Sequence, residues 1–397
     1  MEPLYGSIRD YAWGSRSVIA GLQGRSVPSA GPEAELWLGA HPGAPAMVCR
    51  QDARVSLVEL LAAEPGRWLG DEVAARFDGR LPFLMKLLAP EAPLSLQAHP
   101  DAEQARHGYA TDQSRPPTAH RNYVDPYHKP EVLVAIAPFE ALCGFRNPRL
   151  SAAVLEAFDI PALKPVVACL RTGAEGLRDA VARLLTWPAV DRGALVETVR
   201  TADLGPGYAH EQELVRRLAG WYPGDPGVLV ALLLNHVWLE PGTAIWMPAG
   251  NLHAYLRGAG VEIMAASDNV LRGGLTPKHV DISELLRVLR FEVLEDPLLV
   301  PEAVAPGVVT WPVPVDDFAL YRVRLDEDVP EARLRPTGPR VVLGGAGAVL
   351  VRDAAGAVTV EPGRAAIGAA DGGPLVFSGR GEVYVGTAGG SDIPGSA

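Results

Sequence analysis

The chain has 397 residues, 48% of them hydrophobic and 21% charged, and a formal net charge of -11. That length accommodates two or three domains around a sizeable core. The negative balance speaks against nucleic acid or an anionic membrane as partner, and an anionic substrate needs a local cluster of Lys and Arg to overcome it. No apolar run reaches membrane-span length, and Met1 is not followed by a basic and then apolar leader, so a cytoplasmic location is expected. The three cysteines, Cys49, Cys143 and Cys169, are widely spaced without a CxxC, which suggests neither a disulfide framework nor a thiolate metal site. With 36 prolines and 42 glycines, many turns and short strands are expected rather than long helices.

In chain order, Glu35 to Gly39 and Ala46 to Arg50 read as strands. Ser56 to Ala63 reads as a helix, with Ser56 three residues before Glu59 in capping-box spacing. Leu81 to Leu88 is a nearly continuous apolar run, expected as a buried strand carrying Lys86 in its middle. Thr111 to Asp125 is polar and reads as a loop. From Leu150 to about Ala219 apolar residues recur at three and four, as in Leu177, Val181, Leu184 and Leu185, which predicts a helical block inserted into a β framework. Period alone leaves Val228 to Leu234 open between helix and buried strand.

Strand texture resumes at Val237 and the chain then repeats itself. Glu240-Pro-Gly-Thr-Ala244 matches Glu361-Pro-Gly-Arg-Ala365, and the same offset carries Gly258 onto Gly379 and Gly260 onto Gly381. Two related barrels are implied. The second copy has Pro374 where the first has His253, so it is expected to be structural, and Gly390 to Ala397 to be a loose tail. The expected divisions are 1–148 and 228–290 for a catalytic metal-binding barrel, 149–227 for the helical domain and 291–397 for the C-terminal barrel.

The chemistry concentrates in two short pieces, Ser95-Leu-Gln-Ala-His-Pro100 and His128-Lys-Pro-Glu131. Residues two apart on a strand share a face. An extended first piece would aim Gln97 and His99 one way, and an extended second piece would aim Lys129 and Glu131 one way. His253, in Pro248-Ala-Gly-Asn-Leu-His-Ala-Tyr255, offers a second histidine. Three protein ligands with an open position are a usual catalytic metal arrangement, and a neutral glutamine ligand would leave the ion strongly Lewis-acidic. The bland alternative is that Gln97 and His99 only satisfy backbone groups before the Pro100 turn. Arg272 and Lys278 lie in a turn-rich polar segment and, with Ser95, Lys86 and Lys129, could make a phosphate pocket, set against a solvated surface loop. Lys86 is the hardest to assign to solvent, because burying an unpaired ammonium is costly. Glu262 and Asp268 are acid or base candidates, each against an ordinary solvated carboxylate. His128, which precedes Lys129, is set against a core histidine, and Trp13 as a flat sugar wall against a core tryptophan.

In this order the motifs resemble type I phosphomannose isomerases, zinc enzymes of the cupin superfamily. The likeness runs from Tyr11-Ala-Trp-Gly14 through Ala34-Glu-Leu-Trp-Leu-Gly39, Leu94-Ser-Leu-Gln-Ala-His-Pro-Asp101, Asp125-Pro-Tyr-His-Lys-Pro-Glu131 and the His253 piece to Ser267-Asp-Asn-Val-Leu-Arg-Gly-Gly-Leu-Thr-Pro-Lys278. The resemblance implies a mainly β fold of two jelly-roll cupin barrels plus an α-helical domain. It implies one Zn2+ per subunit, held by Gln97, His99, Glu131 and His253. It also implies Arg272 as catalytic arginine, and a substrate pocket of Trp13, Ser95, Lys129, Tyr255, Glu262 and Lys278. The implied reaction is interconversion of mannose 6-phosphate and fructose 6-phosphate through a cis-enediol, by a chain acting as a monomer. Glu262 is the first choice of base, ahead of His128, Lys129 and Asp268. The rivals are a cupin isomerase or epimerase for another sugar phosphate, a non-catalytic carbohydrate-binding cupin, and a metal-dependent oxygenase.

Overall fold

The computed structural model describes residues 1–50, 53–116 and 118–390. Two antiparallel sheets enclose the interior that matters for function. The first runs in the order Leu298–Leu299, Ala244–Met247, Glu131–Ala135, Gly260–Ala265, Phe83–Leu88, Glu35–Leu38, Ser7–Arg9. The second runs Leu234–Leu239, Phe139–Phe145, His253–Arg257, Leu96–Ala98, Leu271–Gly274. Leu88, Leu133 and Ala135 from the first meet Phe139, Ala141, Cys143 and Tyr255 from the second in one buried cluster, the interior of a jelly-roll barrel.

Both sheets are also covered on their outer faces, which explains why their strands read as unbroken apolar runs. Phe83, Met85 and Leu87 pack outward, with Val261 and Ile263, against Ile367 and Tyr384 of the C-terminal part of the chain. The alternate residues of that strand, Lys86 among them, are left for the barrel interior. Leu142, Ala254 and Leu256 on the outer face of the second sheet pack against the helices between Pro148 and Ala231. In the helix Leu177–Leu185, the residues Leu177, Val181, Leu184 and Leu185 are all buried, as their spacing predicts. The run from Val228 divides between both readings: a helix ends at Ala231 and a strand begins at Leu234.

Two local expectations meet different outcomes. Ser56 caps the helix Leu57–Ala63 through a complete capping box with Glu59. The loop expected from Thr111 begins later, because a helix spans Ala102–Gln113. Asp101 and Gln104 form a capping box at its start, a signal that the low apolar content of the helix obscured.

The third sheet has eleven strands and holds the C-terminal barrel, whose long strands Arg340–Asp353 and Leu375–Thr387 pair over most of their length. It also takes in Glu2–Tyr5, which pairs with Ala365–Gly368 on one side and Met47–Arg50 on the other. The internal repeat is structural. Gly242 and Gly363 turn at φ 92° and 65° ahead of the strands Ala244–Met247 and Ala365–Gly368. Gly258 and Gly379 hold φ 132° and 116° at equivalent positions, a region that favours glycine. Residues 391–397 of the expected tail lie outside the described residues. Among the described residues no helix is long and apolar enough to cross a membrane.

Candidate metal centre and active site

Strand register builds the site. His253 opens its strand directly opposite Gln97, and Arg272 lies opposite Gln97 on the other side. Directly opposed residues project from the same face, so His253, Gln97 and Arg272 form one row across three strands. Glu131 opens the facing strand of the other sheet. The nitrogen and oxygen ligand atoms of His99, Glu131 and His253, all buried, lie within 4.8 Å of one another. His99 Nε2 and His253 Nε2 each stand 3.4 Å from a Glu131 oxygen, and the Gln97 amide is 3.4 Å from His253 Nε2.

The residues fit a metal ion. His99 Nδ1 lies 2.7 Å from the Asn269 carbonyl and His253 Nδ1 3.0 Å from the Asn251 carbonyl. Carbonyls only accept, so both Nδ1 atoms donate and both Nε2 lone pairs face the centre. His99 Nε2 and Glu131 Oε2 are sealed from solvent with no hydrogen-bond partner, a costly state without a cation between them. Burial, and then the Lys129 ammonium, push the His99 imidazole down to about 4, so it is neutral. Burial alone would raise the Glu131 carboxyl, but the Lys129 ammonium, 3.0 Å away, leads the effects that outweigh it and hold the group well below the usual range. Two imidazoles presenting Nε2 beside an ionised carboxylate are a hard-to-borderline donor set suited to zinc.

Around this cluster sit the proton-transfer candidates. Burial raises the Glu262 carboxyl against the pull of Lys86, whose ammonium is 2.9 Å from Glu262 Oε2. Burial would strip Lys86 of its proton, but Glu262, Glu35 and Glu131 together hold it above its ordinary value. The buried Tyr255 phenol is held well above its usual range by burial and by the Glu262 and Glu131 carboxylates. Trp13 stacks on Tyr11 at 5.6 Å and packs against the interior cluster that contains Tyr255. Ser95 is half-buried, just ahead of the Leu96–Ala98 strand.

The remaining sequence candidates lie apart. His128 turns away from Lys129 and pairs with Asp317 at 2.9 Å. Asp268 pairs with His41 at 2.7 Å, and that contact lowers its carboxyl first of all. Lys278 is exposed, beside a cavity shared with Arg192, Asp225 and Thr276. Sequence reasoning missed two residues. Asn269 orients His99, and its own amide bridges Val124 N with the Asp125 and Tyr127 carbonyls. Glu35, buried in an apolar strand, lies 3.7 Å from Lys86. A lone acid in Glu35-Leu-Trp-Leu38 was the available signal.

Fold and site together define a cupin with a buried histidine–carboxylate metal centre. Residues 1–148 match the family described as phosphomannose isomerase type I, catalytic domain. The chain belongs to the mannose-6-phosphate isomerase family. It is 38% identical over 328 residues to mannose-6-phosphate isomerase of Escherichia coli K12, covering 80% of this chain and 82% of that protein. To the human mannose-6-phosphate isomerase it is 31% identical over 366 residues, with 84% of each covered. A crystal structure of a phosphomannose isomerase variant from Salmonella typhimurium superposes with a TM-score of 0.89 at 33% identity, covering 98% of this chain and 99% of that one. A mannose 6-phosphate isomerase bound with zinc and yttrium superposes with a TM-score of 0.87 over the same shares.

Proposed function

We propose that this chain interconverts mannose 6-phosphate and fructose 6-phosphate, with one zinc ion held by Gln97, His99, Glu131 and His253. The observation that carries the reading is the row His253–Gln97–Arg272 facing Glu131, which sets a metal centre beside a cation that, among the described residues, has no carboxylate of its own. Bound zinc would supply the fixed positive charge that polarises the substrate oxygens. The difficulty of the reaction is removing a proton from carbon next to a carbonyl, and the negative charge that develops on O1 and O2 must be met as it forms. Arg272 suits that task.

Glu262 is the favoured group to take the C2 proton and return it at C1, because burial raises its carboxyl above the ordinary carboxylate value. Lys129 follows it, next to Glu131. His128 and Asp268 rank lower, since each is engaged with a partner, Asp317 and His41. Tyr255, kept protonated, can donate to a substrate oxygen. Trp13 would wall the sugar, and Ser95 and Lys278 would anchor the phosphate, whose binding energy positions the reacting carbons. Lys86, first read as a substrate contact, acts in this scheme through Glu262.

The reading extends to a monomer in the cytoplasm, consistent with three free cysteines. It keeps a catalytic barrel of 1–148 and 228–290, a helical domain of 149–227 and a C-terminal barrel of 291–397. The test is interconversion of the two sugar phosphates by purified protein before chelation, after it, and with zinc restored. Loss and recovery of turnover are expected. A zinc-loaded protein that turns over neither sugar phosphate would move the reading to another sugar phosphate.

A further inference from the structure

Three adjacent strands of the first sheet carry a buried charge array that none of the roles above uses in full. Trp37 and Glu262 lie directly opposite Lys86 on either side of it, and Glu35 lies one register step along from Trp37 on the same face. All four side chains are buried. The Lys86 ammonium is 2.9 Å from Glu262 and 3.7 Å from Glu35, and it sits 5.4 Å from the Trp37 ring centre. The Trp37 indole N–H donates to Glu35 Oε2 at 2.6 Å. From the next strand Arg9 faces Glu35 in register and lies 5.1 Å from the same indole.

One ammonium is therefore shared by two carboxylates, all three of them buried. Arg9 stands near Glu35 from the next strand, but Lys86 is the ammonium that both acids pair with, so each draws on the charge available to the other. Glu35 is fixed by the indole N–H, so it cannot swing away and surrender Lys86 to its rival. Lys86 is held between the two, which sets where it meets Glu262 and how much of its charge Glu262 receives. The groups that face Glu262 are Lys86 and Glu35 on this side, Glu131 and Lys129 from the neighbouring strand and its approach, and Tyr255 from the opposite sheet. Among these Glu35 is the carboxylate that shares the Lys86 ammonium with Glu262.

We propose that Glu35 is a positioning residue for the isomerase reaction, anchored by Trp37 and acting through Lys86 to set the orientation and charge of Glu262. The proposal rests on the role given to Glu262 above. A carboxylate at position 35 that merely filled space would be replaced by its amide at little consequence for catalysis. A carboxylate that divides Lys86 with Glu262 changes turnover when its charge is removed, and leaves substrate affinity and metal content alone.

The test is a double-mutant cycle of Glu35→Gln and Glu262→Gln, reading kcat, KM for mannose 6-phosphate and bound zinc for each protein. Glu35→Gln is expected to lower kcat about tenfold with KM and zinc unchanged, and to change kcat less than about twofold when Glu262→Gln is already present. Glu35→Asp, which keeps the charge, is expected to recover part of the loss. An equal fall in both backgrounds, or full turnover by Glu35→Gln, overturns the proposal. If Glu35→Gln does not fold, Trp37→Phe decides: it removes the anchoring N–H and keeps the carboxylate, and a smaller fall in kcat at constant KM supports the proposal while unchanged kcat overturns it. Undiminished turnover by Glu262→Gln overturns instead the role of Glu262, which separates the two failures.

Discussion

Arg272 stands directly opposite Gln97 on paired antiparallel strands, and among the described residues its guanidinium has no carboxylate partner. Burial alone bears on it, lowering its affinity for a proton without displacing the charge. A half-buried cation is held at a cost unless something negative meets it. At this position, beside the metal ligands, the negative partner is expected to be the substrate as its oxygens gain charge.

Arg272→Ala is therefore expected to keep its zinc and to lose kcat by roughly a hundredfold to a thousandfold, the loss typical of removing one donor to a developing oxyanion. Zinc analysis and steady-state kinetics on the same preparation check it. An unchanged rate would remove Arg272 from the mechanism.

His253→Ala removes one of the three converging His and Glu ligand atoms and leaves Glu131, His99 and the weakly donating Gln97 amide to hold the ion. Bound zinc and turnover are expected to vanish together. Full activity in a metal-free variant would refute the ligand assignment.

Asn269→Ala tests the support behind a ligand. The amide it removes accepts from Val124 N and donates to two carbonyls, and the loop it ties down carries the oxygen that orients His99. Unpaired buried groups cost about 1–3 kcal/mol each, so a clear fall in melting temperature is expected. Zinc affinity is expected to drop roughly tenfold to a hundredfold, as for other partners behind a ligating histidine. Competition with a calibrated chelator measures it, and wild-type affinity would show that His99 needs no such support.

Acid should destabilise the chelated protein in a defined window. The folded chain keeps His99 neutral down to about 4, against an ordinary value of 6.5. Between those values the unfolded chain binds a proton that the folded chain refuses, so stability is complete above pH 6.5 and falls as pH drops. The loss reaches roughly 3 kcal/mol at pH 4. Below the ordinary carboxylate value, protonation of Glu131, whose folded pKa is depressed, adds a further loss. Chemical denaturation of metal-free protein across this range is expected to show the slope, and His99→Gln to flatten its upper part. An equal slope in both proteins would assign it to other groups.

The cluster of His99, Glu131 and His253 was legible because each lies in a short polar piece flanked by apolar strands, where residue spacing alone decides which side chains share a face. Lys129 and Glu131, two apart, do meet. Ser56 was legible for a similar reason, since a capping box is local. Glu35 was not, because its meaning depends on Lys86 in another strand and on a register that no single segment encodes. Arg272 stood out within a motif, but its place opposite Gln97 needed the sheet. Nor does any pattern in residues 2–56 announce that three of their strands complete the sheet built mainly from the last third of the chain.

That last pairing has a consequence for how the protein is made. Glu2–Tyr5 finds its partner Ala365–Gly368 only after more than three hundred further residues have been made. Until then the nascent chain carries an unsatisfied strand edge, and closing so long a loop is slow. A fragment halted after the catalytic barrel would keep every metal ligand and still expose that edge to other chains. Premature termination is thus expected to yield aggregates rather than a small working enzyme, and chaperone demand should fall on the interval before the final strands emerge.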